Sequence, residues 1–456
     1  MTALDSALAR KDIAHHLHPQ TNLRLHEQVG PLVMERGEGI YVFDTQGQRF
    51  IEGMSGLWCA TLGFSQPRLA QAAYQQLLTL PYQQTFAHRT TQPVIDLATA
   101  LIERAPSTLS KVIFQSSGSE AIDSAIKLVR YYHTAIGQPQ KHRLIARQRG
   151  YHGTTLAAAS LTGLPNMHKG WGDPLADVIH VRCPHLYRQG QPGESEEAFS
   201  TRLAAELEQT ILEHGPETIG AFFAEPVMGT GGVIVPPTGY FAKIQAVLRK
   251  YDILLVADEV ICGFGRTGHY WGSQAMGLKP DMLTCAKGLS AAFQPISALL
   301  ISDTIYQAIA DQSNVLGGFG HGYTYGGHPV AAAVALETLA LYDELDILGN
   351  VAAVAPRFQA GVRAFADHPL IGEARGIGLM AALEFVADKD SREPFPAHLK
   401  VAARVAEALQ RRGVLLRALG DTLVMAPPLI IDAAQVEVIL TAVAESLDEV
   451  YAELAQ

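Results

Sequence analysis

Two apolar runs in the middle of the chain each end in ionisable side chains. Residues 254–257 lead into the acids Asp258 and Glu259, and residues 282–286 lead into Lys287. Buried strands of parallel sheets have this continuous apolar character, and ligands of such sheets bind beyond the carboxyl ends of the strands. We therefore predict two strands that present an acid and an amine to one small molecule.

Apolar runs and helical patterns alternate between residues 93 and 301. Strand–helix alternation over about 200 residues is typical of a largely parallel sheet with helices on both faces, so we predict an α/β fold. The predicted strands are residues 111–114, 144–146, 178–181, 219–223, 254–257, 282–286 and 297–301. The main predicted helices are residues 94–104, 119–135, 194–214 and 239–250.

Shorter patterns predict further elements near the two ends of the chain. A hairpin is expected where residues 39–44 and 49–51 flank a polar turn. A loop at 54–59 follows and contains Trp58, which is expected to be an exposed type of aromatic residue. The remaining predicted elements are a bridging helix at 328–345, strands at 376–385 and 414–417, and a closing helix at 432–454.

Composition excludes several classes of protein. The chain has 456 residues, 48% of them hydrophobic, and a formal net charge of −10, so no basic stripe for nucleic acid is expected. No apolar run reaches the roughly 18–20 residues of a membrane span. Four scattered cysteines without a CxxC spacing, and a polar N-terminal segment, favour a reducing cytoplasm over an exported or zinc-bound protein.

One histidine-rich motif near the N-terminus has the composition of a metal site. It is His15-His16-x-His18, whereas the other histidines are dispersed along the chain. A solvated or locally packed segment explains this motif more simply, so we predict no metal.

Two glycine-containing motifs follow predicted strands. The sequence SSGSE at 116–120 lies between a strand and a helix, where glycine and the first N–H groups of the helix can bind an anion such as phosphate. An ordinary helix cap at Ser119 is the alternative. In Gly150-Tyr151-His152-Gly153 the tyrosine ring can lie against a flat ligand, or it can be a core residue in a turn.

Two further charged residues, Glu225 and Arg417, also lie at the ends of apolar runs. Glu225 follows the run at 219–223, and Arg417, at the end of another run, is its candidate partner. Lys287 at the end of an apolar strand is costly unless it is paired or used chemically. A desolvated lysine has a lowered pKa and can attack a carbonyl to form a Schiff base, with Asp258 keeping a pyridinium nitrogen protonated. A buried ion pair between Lys287 and Asp258 is the alternative.

These motifs occur together in one order along the chain. They are SSGSEA at 116–121, GYHG at 150–153, EP at 225–226, ADEVICGFGRTG at 257–268, CAKGLS at 285–290 and HGYTYGGHP at 321–329. Over nearly its whole length the chain resembles the class III, fold-type I aminotransferases that depend on pyridoxal 5'-phosphate. The motifs HLHPQTN at 16–22, MSGLWC at 54–59 and LLRALGDTLVMAPPL at 415–429 resemble a narrower branch, the bacterial ω-transaminases. That branch includes putrescine–pyruvate, ω-amino acid–pyruvate and amine–pyruvate aminotransferases.

The resemblance implies a fold and a division into domains. The expected large domain, residues 66–330, holds a largely parallel seven-stranded sheet and binds the cofactor. The expected smaller α+β domain is built from both chain ends. It combines part of residues 1–65, which also form an N-terminal arm, with residues 331–456, which begin with a bridging helix.

The resemblance also implies roles for individual residues. Lys287 matches the catalytic lysine that forms the Schiff base and moves protons, and Asp258 matches the catalytic acid at the pyridine nitrogen. Val260 and Tyr151 match the residues on the two faces of the ring. The residues matched to cofactor binding are Ser117, Gly118, Ser119, Tyr151, His152, Glu225, Asp258, Val260, Lys287 and Thr324. Those matched to substrate binding are Trp58, Tyr151 and Arg417, with Tyr82, Phe86 and Phe319 as additional candidate walls.

Three of these matches carry further expectations. Thr324 matches a residue that reaches the cofactor phosphate from the other subunit, which implies a homodimer, or a dimer of dimers, with the site at the interface. Arg417 matches the arginine that binds a substrate carboxylate and swings away for a substrate without one. Glu225 matches the acid that can pair with this arginine.

The activity that the resemblance implies is transamination. The enzyme would move the amino group of a primary amine, diamine or ω-amino acid to pyruvate, giving an aldehyde or ketone plus L-alanine by a ping-pong mechanism. An aminomutase or a decarboxylase on the same scaffold shares the Asp258, Lys287 and phosphate signals. An NAD-dependent dehydrogenase is disfavoured because no GxGxxG follows the first strand, and a non-catalytic protein is disfavoured by the intact Lys287 and Asp258.

Overall fold

The computed structural model describes residues 6–106, 108–172 and 174–455. The strands are β1 (Met34–Glu38), β2 (Tyr41–Asp44), β3 (Arg49–Glu52), β4 (Leu109–Gln115), β5 (Arg143–Arg147), β6 (Val178–Val181), β7 (Ile219–Ala224), β8 (Leu254–Asp258), β9 (Met282–Cys285), β10 (Ser297–Ser302), β11 (Ile371–Ile377), β12 (Met380–Phe385), β13 (Val414–Leu415), β14 (Arg417–Leu419) and β15 (Thr422–Met425). The helices are α1 (Ala7–His15), α2 (Leu23–Val29), α3 (Ser55–Trp58), α4 (Pro67–Thr79), α5 (Gln92–Arg104), α6 (Gly118–Ala135), α7 (Leu156–Leu161), α8 (Leu186–Gln189), α9 (Glu196–His214), α10 (Tyr240–Lys250), α11 (Gly272–Met276), α12 (Asp303–Leu316), α13 (Pro329–Glu344), α14 (Ile347–Ala364), α15 (Val401–Arg411) and α16 (Ala433–Leu454).

Seven strands form one central sheet in the order β4-β10-β9-β8-β7-β5-β6. The pairs β6–β5, β5–β7, β7–β8 and β8–β9 are parallel, and β10 runs antiparallel to both β9 and β4. The predicted α/β fold with a largely parallel sheet is therefore confirmed.

Helices cover both faces of the central sheet, which explains why its strands are continuous apolar runs. On one face, α6 and α12 pack against a core that includes Val256 and Leu299. On the other face, α9 and α10 pack against Phe222 and Leu255. Every residue of β7 is buried as a result, because neither face of that strand meets solvent.

The register of β8 and β9 determines where their polar ends lie. The two strands are parallel, and the Cα of Asp258 pairs with that of Thr284. Lys287 follows Thr284 by three residues, just beyond the end of β9. The acid and the amine therefore leave the sheet at the same edge, at two adjacent strands.

Two smaller sheets lie outside the central one, and one of them combines segments from the two ends of the chain. One has the order β1-β2-β3-β13 and the other β11-β12-β15-β14. In the first, β13 pairs in parallel with β3, Val414 opposite Ile51. This pairing supports our proposal that residues 1–65 and 331–456 share a small domain, with residues 66–330 as the large one.

Three local predictions are wrong. The single strand expected at 376–385 is a hairpin, because Gly378 turns the chain at a φ of +56°. A Cβ there would lie 2.5 Å from the carbonyl oxygen of Arg266, so glycine is required for space as well as conformation. The strand expected at 414–417 is divided between β13 and β14, which belong to different sheets.

The third error concerns Trp58, which is buried and not exposed. The loop expected at 54–59 contains the short helix α3, and Trp58 is 3% exposed. Its ring belongs to a cluster with Met54, Ile261 and Val424, which links the loop after β8 to β15.

Within the described residues, no helix has the length and apolarity needed to cross a bilayer.

Truncation of Trp271 tests how strongly the loop between β8 and β9 is anchored. The Trp271 ring is fully buried, lies 5.0 Å from that of Phe264 between centroids, and donates from Nε1 to the carbonyl oxygen of Arg104 at 2.6 Å. We expect Trp271→Ala to lower the free energy of unfolding by about 3–5 kcal/mol, because a large cavity and an unpaired carbonyl remain. Urea titration followed by circular dichroism measures the change.

Trp171 provides the matched control, because it is 83% exposed. Trp171→Ala should change the free energy of unfolding by less than about 0.5 kcal/mol. Equal losses in the two variants would show that burial of Trp271 does not stabilise this loop.

Candidate active site

A cavity of about 320 Å³ opens at the carboxyl edge of the central sheet. Its volume falls within the range of small-molecule sites. Nine of the predicted site residues line it together. They are Ser117, Gly118, Ser119, Tyr151, His152, Glu225, Asp258, Val260 and Lys287.

The carboxylate of Asp258 is held by three groups. Its Oδ2 lies 2.8 Å from Nδ1 of the buried His152 ring, and its Oδ1 accepts from the Val260 amide at 3.1 Å and from Thr284 Oγ1 at 3.4 Å. Asp258 is 4% exposed, so these contacts replace most of its hydration. The pairing leaves the imidazole in one orientation, with Nε2 buried and without a partner among the described residues.

Glu259, the second acid at the end of β8, has a different role. Its carboxylate turns away from the cavity and accepts from the Gly272 amide at 2.8 Å and from the Ser273 amide and hydroxyl at 2.5 Å. Burial raises the pKa of Glu259 to about 7, which these hydrogen bonds oppose. Glu259 therefore fixes the start of α11, and only Asp258 faces the cavity.

Lys287 enters the cavity from a strained backbone. Its φ is +46°, in the left-handed region that lysine seldom adopts. Burial lowers the pKa of its amine, and the negative charge of Asp258 partly opposes that shift. A lysine with a lowered pKa presents more of the unprotonated amine, which is the form that attacks carbonyl groups and accepts protons.

The start of α6 forms another wall of the cavity. Ser117 caps this helix, because its Oγ accepts from the Glu120 amide at 3.2 Å, so the cap is two residues before the one that the sequence suggested. The first amides of a helix have no partner in a preceding turn, and with the helix dipole they favour an anion. A Cβ on Gly118 would lie 3.2 Å from both methyl groups of Val260, so glycine preserves this close approach.

Glu225 follows β7 and is 3% exposed. Its carboxylate accepts from the amides of Tyr151 at 3.0 Å and Gly229 at 2.9 Å. Burial raises the pKa of Glu225, and the nearby His152 opposes this shift. Glu225 therefore connects the loop that carries Tyr151 to the loop after β7.

Within the described part of the chain, Glu225 and Arg417 do not form the predicted ion pair. Arg417 begins β14 and is half-buried. Burial lowers the pKa of its guanidinium, whereas the neighbouring Tyr151 raises it. Arg417 therefore lies near Tyr151 and, among the described residues, forms no ion pair with a carboxylate.

Trp58 and Thr324 lie outside the cavity lining. Trp58 packs behind it in the cluster described above, although the next residue, Cys59, does line the cavity. Thr324 is exposed in the loop before α13. Its carbonyl oxygen accepts from the Tyr82 hydroxyl at 2.8 Å.

Sequence reasoning missed the turn that follows Lys287. Ser290, Ala292, Gln294 and Ile296 of this turn line the cavity. The sequence signal that could have found them is their position just after Lys287. The chain leaves β9 and returns antiparallel as β10, so it must reverse beside the site.

Comparison with known proteins identifies the family. The family model described as Aminotransferase class-III matches residues 24–447. Gamma-aminobutyrate transaminase 1, mitochondrial, of Oryza sativa subsp. indica is 50% identical over 420 residues, which cover 92% of this chain and 81% of that protein. The crystal structure of the omega transaminase from Pseudomonas jessenii in complex with PMP has a TM-score of 0.96 and 52% identity, covering 98% of each chain. A structure described as a transaminase with L-ala has a TM-score of 0.92 and 52% identity, covering 93% of this chain and 100% of that one.

The chain belongs to the class-III aminotransferase family. It is a transaminase of fold-type I, and its cofactor is pyridoxal phosphate.

The residues of the cavity fit this cofactor. A buried carboxylate, an amine of lowered pKa and a helix N-terminus share one cavity of suitable size. These groups complement a pyridinium nitrogen, an aldehyde and a phosphate, respectively.

Replacement of Lys287 by methionine tests the desolvation of its amine. Because burial lowers the amine pKa in the folded protein, the unfolded chain binds the proton more tightly, and protonation favours unfolding. We expect cofactor-free Lys287→Met to be more stable than cofactor-free wild type near neutral pH. The gain should shrink as the pH rises towards about 10.5, where the unfolded lysine also loses its proton.

Urea unfolding of both proteins at a series of pH values measures this difference. The control is Lys279→Met, because Lys279 is exposed and its replacement removes no buried charge. Parallel pH profiles for wild type and Lys287→Met would contradict a desolvated amine at position 287.

Proposed function

We propose that this enzyme is an ω-transaminase that moves the amino group of a primary amine, diamine or ω-amino acid to pyruvate. The products would be an aldehyde or ketone and L-alanine, formed in two half-reactions that share one cavity. The observation that carries the proposal is the electrostatic interaction of the half-buried Arg417 with Tyr151, which lines the cavity together with Lys287 and Asp258. An arginine so placed can bind the carboxylate of pyruvate or of an ω-amino acid.

Two relatives support this range of substrates. The rice protein is named as a γ-aminobutyrate transaminase, and γ-aminobutyrate is an ω-amino acid. The structure with L-ala has alanine at a related transaminase, and alanine is the product expected from pyruvate.

We assign each chemical step of the proposed transamination to a residue of the cavity. The cofactor, when bound, supplies a carbonyl carbon for the amino group and a ring that accepts electrons. Lys287 Nζ removes the proton from the carbon that bears the amino group. The same amine would then deliver that proton to the aldehyde carbon of the cofactor. Asp258, oriented by His152, holds the proton of the pyridine nitrogen, and its negative charge keeps that proton in place.

The other cavity residues bind and orient. The first amides of α6, at Gly118 and Ser119, bind the phosphate. Val260 and Tyr151 limit the two faces of the ring, and Glu225 holds the Tyr151 loop through its amide.

Arg417 makes the site suitable for substrates with and without a carboxylate. A guanidinium that is partly withdrawn from water without an anion is costly, and burial already lowers the pKa of Arg417. A substrate carboxylate removes that cost, so binding of pyruvate gains a charge-assisted hydrogen bond. A plain amine lacks this group, and the side chain then turns towards solvent.

We also propose a homodimer, or a dimer of dimers, in which Thr324 reaches the phosphate site of the partner subunit. Large side chains are exposed around the Thr324 loop, namely Tyr82 at 39%, Phe86 at 47% and Tyr325 at 62%. The Tyr82 and Tyr325 rings meet edge to face at 5.9 Å between centroids, which holds the two loops together. Exposed apolar patches of this kind mark protein interfaces.

The alternatives on the same scaffold are an aminomutase and a decarboxylase. Both would use Lys287 and Asp258, but neither yields alanine and a free carbonyl product from an amine and pyruvate.

For location we propose the cytoplasm, which the four free cysteines support. The name of the rice relative places that protein in mitochondria.

Lys287→Ala tests the catalytic role of this lysine. We expect turnover of an amine with pyruvate to fall by at least about 1,000-fold, because the proton-transfer group is lost. Alanine formation measured by chromatography gives the rate. Lys279→Ala, at an exposed lysine eight residues earlier, should retain the wild-type rate, and near-wild-type turnover in Lys287→Ala would refute the assignment.

Arg417→Ala tests the carboxylate role through the two half-reactions separately. We expect kcat/KM for pyruvate to fall by roughly 30-fold or more, which corresponds to about 2 kcal/mol for a lost charged hydrogen bond. The half-reaction with a monoamine that has no carboxylate should change much less. Single-turnover absorbance of the cofactor measures both.

Arg411→Ala is the control for this experiment, since Arg411 is an exposed arginine that pairs with Glu449. It should leave both half-reactions unchanged. Equal losses in both half-reactions of Arg417→Ala would contradict selective binding of the carboxylate.

A further inference from the structure

Three histidine rings converge on one carboxylate in the N-terminal arm. Asp12 Oδ1 lies 3.1 Å from His16 Nδ1, while Asp12 Oδ2 lies 2.7 Å from His18 Nε2 and 3.0 Å from His26 Nε2. We call these four residues the Asp12 cluster. None of them lines the cavity described above.

Two helices and the turn between them build the Asp12 cluster. Asp12 lies in the last turn of α1, and His16, four residues later, is the residue that caps the C-terminal end of that helix. The chain then reverses, and Asn22 caps α2 by accepting from the Leu25 amide at 3.1 Å. His26 on α2 is brought back to the carboxylate in this way.

The rings of the Asp12 cluster are close to one another as well as to the acid. The centroids of His16 and His18 are 4.3 Å apart, and those of His18 and His26 are 4.1 Å apart. The ligand atoms of Asp12, His16 and His18 all lie within 4.8 Å of one another. The side chain of His26 is only 10% exposed, so its ring is held in place.

A second cluster in the molecule shows what distinguishes a metal site from an ion-pair network. His185, Glu373 and Glu384 also have ligand atoms within 4.8 Å of one another. There, however, Arg375 bonds to both acids and Arg188 bonds to Glu384. The guanidinium groups of the two arginines already neutralise those carboxylates, and their positive charges would repel a metal cation.

We propose that Asp12, His16, His18 and His26 bind one divalent transition-metal ion, with zinc as the best match. Three imidazole nitrogens and one carboxylate oxygen make a four-ligand set of the kind that zinc takes in tetrahedral geometry. Imidazole suits zinc, copper and nickel, whereas magnesium and calcium take oxygen ligands. The ligand atoms of Asp12, His16 and His18 already lie close together, and His26 Nε2, 3.0 Å from Asp12 Oδ2, would complete the set by a shift of its ring.

The bound ion would act as a clamp between α1 and α2. Both helices are short, at 9 and 7 residues, and such helices are marginal without tertiary support. A metal that joins residues 12, 16, 18 and 26 closes a loop of the chain and fixes the arm in one conformation.

Metal uptake by the tag-free holoenzyme tests the proposal. The protein is treated with chelator, freed of excess cofactor by gel filtration and titrated with zinc in a calorimeter. We expect one strong site per chain. Loss of a ligand in Asp12→Asn or His26→Ala should weaken zinc binding by at least about 100-fold, since loss of an outer-sphere partner alone costs about 10–100-fold.

His15→Ala is the matched control, because His15 neighbours the cluster in sequence but is not one of the rings that contact Asp12. It should bind zinc as tightly as wild type. Replacement of zinc by cobalt gives a second measurement, since four-coordinate cobalt absorbs strongly in the visible region. Wild type and His15→Ala should show these bands, and Asp12→Asn should not.

Limited trypsin digestion reports the clamp independently of affinity. Lys11 and Arg24 lie on the two helices, and zinc should slow cleavage there in wild type and His15→Ala but not in Asp12→Asn. The absorbance of the bound cofactor confirms in each case that the variant is folded. The absence of a stoichiometric site in wild type, or equal affinity in Asp12→Asn and His26→Ala, would overturn the proposal.

Discussion

The buried contact between Asp258 and His152 is the interaction on which the rest of the site depends. A carboxylate at 4% exposure is stable only where hydrogen bonds or opposite charge replace its water. Three different segments supply those hydrogen bonds, through His152, Val260 and Thr284. The Asp258 carboxylate therefore also connects these segments to one another. The negative charge then remains available at the floor of the cavity, where it opposes the lowering of the Lys287 pKa.

The sequence made the central part of the site predictable because parallel strands covered on both faces are apolar throughout. The first polar residue after such a run marks a strand end, and this rule located Asp258 and Lys287. The rule could not say which of two adjacent acids faces the ligand. Glu259 turns to α11 because amides that follow it by 13 and 14 residues are brought back to it, and only the fold reveals that contact.

Other features depend on tertiary contacts that no local pattern encodes. Arg417 was expected beside Glu225, but Glu225 is occupied by two backbone amides, of Tyr151 and Gly229. Trp58 was expected to be exposed, but it is buried in a cluster with residues from four distant segments. The Asp12 cluster is similar: the motif His15-His16-x-His18 was visible, whereas the acid one turn earlier and His26 on the next helix join it only through the fold.

The two functions of the cavity, chemistry and substrate selection, are placed on elements of different stability. Asp258 and Lys287 are at the ends of β8 and β9 in the interior of the seven-stranded sheet, which neighbouring strands restrain on both sides. Arg417 begins the three-residue strand β14, which is at the edge of a different sheet and pairs only with β15. Short edge elements open at lower free-energy cost than interior strands, because fewer hydrogen bonds must break. The proposed proton-transfer groups are thus on the more restrained elements, while the arginine proposed to contact the substrate carboxylate is on an element that opens more easily.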